Sequence, residues 1–214
     1  MTEEEWATSV SPDGMLNYLW SATSERKLRL YGCAACRRIW ELMDAASRGA
    51  VVASEQFADG LISEEQLDLR SAAAEETYED AVIDNDDLKA HVTHAASYSS
   101  SPSLALHVLA EALDAILPAA PGGATEECAA QADLLRDIFG NPFRPIAINP
   151  AWLTSDVLAL ARGIYDERAF DRMPILADAL QDAGCDNIDV LNHCRGDGLH
   201  VRGCWVVDMV LGKA

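Results

Sequence analysis

SERKLRLYGCAACRRIWELMDAAS, residues 24–47, decides the fold class. Leu28, Tyr31, Ala35, Ile39 and Leu42 recur at helical spacing, and Cys33, Cys36, Trp40 and Met43 form a second stripe beside them. Two adjacent apolar stripes make a wide buried face, so the run reads as a central helix. Ser24-Glu25 opens it, and it is expected to reach about Ser47, with Gly49 as its stop or kink.

Outward from this helix the same period continues. Towards the start, an acidic arm leads to Ser11-Pro12-Asp13, a helix-start signal. Met15, Leu16, Leu19 and Trp20 follow as one face. Towards the end, a helix over about 50–58 stops at Asp59-Gly60. Ser63 with Gln66 forms a capping box for a helix reaching about Ile83. Asp84 to Asp87 can cap a helix ending near Tyr98, and Ser103 opens one with Leu106, Leu109, Leu113, Ile116 and Leu117 on its face. After Thr125 a helix runs to Gly140. Thr154, Asp171 and Asp186 or Asn187 open three more, and 202–211 reads as a terminal helix because no partner strand lies nearby. The expectation is an all-α, irregular multi-helix bundle of eight to ten helices with little or no sheet.

Pro118 to Gly123 has the Pro/Gly composition of a linker. It divides an N-terminal helical region, 1–117, with an acidic middle, from a C-terminal helical region, 124–214, the two forming one compact unit. Asn141-Pro-Phe-Arg-Pro145 cannot be regular structure. Its two prolines and Phe143 predict a rigid, ordered segment with Phe143 buried.

Charge narrows the function. The chain of 214 residues carries 16 basic and 35 acidic side chains, a net of −19. Residues 49–141 hold eighteen of the acids and three of the bases. Phosphate binding needs clustered Lys and Arg, so nucleic acid and anionic lipid are disfavoured as partners, and a basic protein is favoured. Arg26, Arg37 and Arg48 recur every eleven residues, but Glu41 and Asp44 stand at helical spacing to neutralise them. No stretch approaches the ~20 apolar residues of a membrane span. The start, Met-Thr-Glu-Glu-Glu-Trp, is acidic where a signal peptide is basic, so the protein is expected in the cytoplasm with its six cysteines as thiols.

Three groups of residues bear on chemistry. Cys33 and Cys36 form a lone CxxC, which can serve as half a zinc site or a redox pair, or simply pack beside Trp40 and Met43. Asp87, His91 and His94 share a helix face, where carboxylate and imidazole can hold a cation or stand in solvent. His193, Cys194, His200 and Cys204 fall within twelve residues around Gly196-Asp197-Gly198, with Cys185 nearby. A turn there lets thiolates and imidazoles converge, as tetrahedral zinc requires, although the spacing matches no standard finger. GxSxG, Walker A, GxGxxG and HExxH motifs are absent.

Arg26-Lys-Leu-Arg-Leu30 with Cys33 to Trp40, then Leu134 to Pro145, Arg168 to Leu180 and His200 to Asp208, together resemble a family of uncharacterised helical bacterial proteins. The family has no established activity, so the resemblance implies a helical fold and no site residue. The reading is therefore a non-enzymatic acidic interaction protein with a basic protein partner. The alternative is a zinc-binding protein using His193, Cys194, His200 and Cys204, and a third is an enzyme of a type that no motif identifies.

Overall fold

The computed structural model describes residues 1–19, 23–101, 106–120 and 122–213, without the side chains of 106–108. Trp20, Ser103, Pro121 and the Leu106 side chain lie outside the described residues. The described chain is all helix, with no strand and twelve α-helices joined by short 3-10 turns. The class is as expected, but the helices outnumber the eight to ten expected. Two local events explain the difference. The acidic start is itself a helix, α1 (Glu3–Thr8), because Trp6 is buried. The long run from Ser24 is two helices rather than one. α3 (Glu25–Arg38) ends where Ile39 leaves helical geometry at φ −109°, and a 3-10 turn follows at Trp40–Leu42. Asp44 then accepts a hydrogen bond from the Ser47 amide at 2.8 Å and starts α4 (Ala45–Ala58). Gly49 is inside α4, not a stop.

Contacts divide the chain into two compact units, Met1 with 9–132, and 2–8 with 133–214. The division falls within α8 (Ala124–Phe139), beyond the 118–123 segment, which begins as a 3-10 turn at Leu117–Ala119.

The first unit is built on α2 (Pro12–Leu19), α3, α4, α5 (Glu64–Ile83), α6 (Asp87–Ser99) and α7 (Leu106–Ile116). α6 packs against α3, α4, α5 and α7. Ser63 and Gln66 complete the capping box of α5, and Asp86 caps α6 by accepting from the Lys89 amide. Leu28, Tyr31 and Ala35 of α3 and its cap residue Ile39 are buried as the period required, but Leu42, in the 3-10 turn, is exposed. Three guanidiniums of α3 are answered from far along the chain, while Arg29 pairs with Glu25 one turn away at 2.7 Å. Arg37 binds Glu55 through two bonds of 2.6 and 2.8 Å, Arg38 binds Glu127 at 2.8 Å, and Arg26 binds Asp59 at 3.1 Å. Glu55 and Glu127 are buried, so these pairs close the core. The local pairing expected of Asp44 does not form, because Asp44 is spent on its cap.

The second unit contains α1, the end of α8, α9 (Ser155–Glu167), α10 (Met173–Asp182), α11 (Ile188–Arg195) and α12 (Trp205–Leu211). α9 packs against α10 and α12, and α11 against α10 and α12. Val157, Ile164, Met173, Leu176, Leu180, Val190 and Val207 form the centre of their shared core. Thr154 and Asn187 cap α9 and α11 with their side-chain oxygens. The segment after α8 differs from expectation. Pro142 and Phe143 are half-buried and Pro145 is exposed. Polar contacts order it instead: Asn141 donates to Glu3 at 2.7 Å, Arg144 pairs with Glu3 at 2.6 Å, and the Asn141 carboxamide accepts from the Phe143 amide.

Candidate metal centre

Four donor atoms converge in the second unit. Asp137 comes from the last turn of α8, His193 from α11, His200 from the loop after it, and Cys204 from the cap position of α12. One ligand atom of each lies within 4.8 Å of all the others. The His200 Nδ1 is 2.7 Å and the His193 Nε2 3.2 Å from Asp137 Oδ1. The Cys204 Sγ is 3.1 Å from His193 Nε2 and 3.9 Å from His200 Nδ1. Bonds of 2.0–2.3 Å in a tetrahedron place ligand atoms about 3.3–3.8 Å apart, so these separations bracket a zinc cage.

The cluster differs from a hydrogen-bonded relay. In a Cys-His-Asp relay the two ring nitrogens serve different partners. Here the Nε2 of His193 faces both the thiol and the carboxylate, and Asp137 Oδ1 faces both rings. These contacts are themselves hydrogen bonds, and together the four atoms form a set that could hold one cation. The other carboxylate oxygen is occupied, since Asp137 Oδ2 accepts from the Val201 amide at 2.9 Å. That bond leaves Oδ1 facing the two imidazoles and fixes its direction.

Local backbone makes the convergence possible. His193 and Cys194 are successive residues of α11, so their side chains diverge by about 100°. His193 faces the cluster while Cys194 turns into the core with Cys185. The expected ligand Cys194 therefore does not join the other three, and Asp137 stands in its place. The chain bends through Gly196-Asp197-Gly198 as expected and turns again at Arg202-Gly203, where Gly203 takes φ +97°. Gly140, at φ +65°, ends α8, and a Cβ there would stand 3.1 Å from the Trp205 ring. Trp205 in turn lies with its ring centroid 5.0 Å from that of His193. Trp6 donates to the Gly140 carbonyl at 3.0 Å, and Arg136 donates twice to the Trp6 carbonyl, so α1 braces the end of α8.

The site is largely buried. Asp137 is 4% exposed, and Cys204 is fully buried. Burial alone would raise the Asp137 carboxyl, but hydrogen bonds and charge from His193 and His200 outweigh it and hold it below the ordinary value. Burial pushes the Cys204 thiol well up, the Asp137 carboxylate adds to this, and the amides of Val206 and Val207 oppose it. The Cys194 thiol is raised to about 12, first by burial. The second nitrogen of His200, Nε2, is buried with no hydrogen-bond partner.

The other groups do not assemble. Cys33 and Cys36 are buried in the first unit, where Cys36 donates to Ser99 Oγ at 3.2 Å. His91 is 2.6 Å from the Asp87 carbonyl, not its carboxylate, and His94 stacks between Tyr78 and Tyr98. Among the described residues no helix is long and apolar enough to cross a membrane. No protein-family model, curated protein or solved structure matches this chain.

Proposed function

We propose that the second unit is a zinc-binding helical module, the ion held by Asp137 Oδ1, His193 Nε2, His200 Nδ1 and Cys204 Sγ. The observation that carries the reading is the convergence of those four atoms within 4.8 Å of one another. Carboxylate, imidazole and thiolate are the donor set of zinc. Four protein ligands fill a tetrahedron and leave no position for substrate, so the role is structural rather than catalytic. The ion links α8, α11 and α12, elements that lie sixty-three positions apart between Asp137 and His200. Protein purified without chelator should contain one zinc per chain by mass spectrometry of the metal. Cys204→Ser and Asp137→Ala should both lose it. Full-length protein that refolds from chelator with unchanged Tm and takes up no zinc would rule the reading out.

A second reading concerns the first unit, and the exposed acids of α5 support it. Glu64, Glu65, Asp68, Glu75, Glu76, Glu79 and Asp80 are all exposed, against one base, Arg70. Such a surface suits a basic protein partner bound without chemistry, in a salt-dependent complex. Reversing Glu76, Glu79 and Asp80 to Lys should abolish capture of that partner; retention at the same salt would exclude α5 as the surface.

A further inference from the structure

A cleft of about 380 Å³ lies between α5 and α6, in the unit that does not hold the metal cluster. Its ionisable lining includes the carboxylates of Asp68 and Glu75 and the phenol of Tyr98, and no lysine or arginine lines it. Neither carboxylate has an ion-pair partner among the described residues. Glu111 of α7 hydrogen-bonds Tyr98 and, after burial, raises its phenol together with Glu75, so a third carboxylate bears on the same space. The ring of His94 stands 4.3 Å from that of Tyr98, and burial lowers its pKa, which adds no fixed positive charge.

The floor is polar. Ser71 donates to the Ser97 carbonyl at 3.4 Å and accepts from Ser100 at 3.3 Å. Ser97, only 5% exposed, lines the cleft, and its hydroxyl makes no hydrogen bond among the described residues. That hydroxyl is therefore open to the cleft and able to bond whatever enters it. Asp68 and Glu75 are seven residues apart on one helix, about 10.5 Å along its axis. A charge at each end, an aromatic ring beside the path and hydroxyls beneath it describe a site for an elongated organic cation.

We propose that this cleft binds a linear polyamine, with its terminal ammonium groups on Asp68 and Glu75 and its chain along Ser97 beside Tyr98. The extended distance between the end nitrogens of spermidine is about 11 Å for bonds near 1.5 Å, close to the roughly 10.5 Å axial separation of the two positions on α5. Ammonium groups bond carboxylates and hydroxyls as donors only, and an aromatic face adds to their binding.

Titration calorimetry of the full chain with spermidine, at about 0.15 M salt to screen diffuse attraction, tests the site. One spermidine should bind per chain. Asp68→Asn and Glu75→Gln should each weaken binding roughly tenfold, the scale of one charged hydrogen bond. n-Butylammonium, with one charge, should bind at least roughly tenfold more weakly than spermidine. The control variant Glu79→Gln with Asp80→Asn keeps the cleft and removes two charges, one more than either single variant, so it should bind as the parent does. Asp68 and Glu75 are exposed, so their variants should retain the parental Tm, which verifies folding. No saturable binding, equal losses in the control, or tighter binding of a lysine-rich peptide than of spermidine would overturn the proposal.

Discussion

Asp137 stands where helix chemistry disfavours a carboxylate, in the last turn of α8, at the negative end of the dipole. Its neighbours Leu134, Leu135 and Ile138 are fully buried. An acid inside the run Leu134-Leu-Arg-Asp-Ile-Phe139 was the signal that a sequence reading confined to cysteine and histidine passed over. His193, His200 and Cys204 were legible because they are close along the chain. Cys194 misled for the same reason, since adjacency in sequence is divergence on a helix. Cys194→Ala should therefore keep full zinc content and lower stability by about 1–2 kcal/mol through packing, whereas Cys204→Ala should lose the ion. Metal content and Tm measured on both variants separate the two cysteines. Zinc loading of the parent at pH 7 should release about one proton from the thiol, because thiolate and neutral imidazole are the binding forms. For the same reason the gain in Tm from zinc should shrink as pH falls from 7 to 5. Calorimetry in buffers of different ionisation heat measures the release, and a value of zero would mean that Cys204 is not a ligand. Phe143, half-buried, should lose less on truncation than the ~3–5 kcal/mol of a fully buried phenylalanine; about 1–2 kcal/mol by denaturant titration fits its half-burial.

At the scale of elements, caps were read more reliably than ends. Ser63, Thr154 and Asn187 each accept a backbone N–H as their side chains suggest, whereas Asp171 lies in a 3-10 turn and α10 begins at Met173 without a side-chain cap. The break after Arg38 was hidden because the apolar period runs through it: Ile39 and Met43 are buried on either side of the 3-10 turn. Periodicity records which residues face the core, and it is insensitive to a short change of helix type that preserves the facing. Gly49, in α4, has no atom within 4 Å of an added Cβ, and Gly163, in α9, has none either. Gly49→Ala and Gly163→Ala should each stabilise by about 0.5–1 kcal/mol, since alanine loses less backbone entropy in a helix. Gly140→Ala should do the reverse, with a positive φ and the Trp205 ring 3.1 Å away. It should also weaken zinc binding, because Trp205 follows Cys204 directly. Thermal melts rank the three, and a stabilised Gly140→Ala would show that the Trp205 contact is soft.

For the whole molecule, zinc removal should act on one unit and spare the other. Binding at a hundredfold excess over Kd contributes about 2.7 kcal/mol to the state that binds. Hydrogen exchange with and without chelator should therefore differ in 2–8 and 133–213 and match in 9–132; faster exchange in α3 or α6 after chelation would contradict this. The division itself could not be read from composition. A Pro/Gly stretch marks where a helix cannot run, but a unit boundary is where contacts thin, and that place is inside α8. Nor did composition place α1, whose seat depends on one tryptophan meeting a carbonyl 134 positions away. That meeting has a consequence for synthesis. Residues 2–8 leave the ribosome before 9–132, and their partners in 133–214 leave after it. The whole of 9–132 can be made and folded while Trp6 is still without its seat. A fragment beginning at Asp133 would lack α1 altogether, and Arg136 and Gly140 would lose their bonds to Trp6. Adding residues 2–8 in trans as a peptide should then restore what the missing start took away.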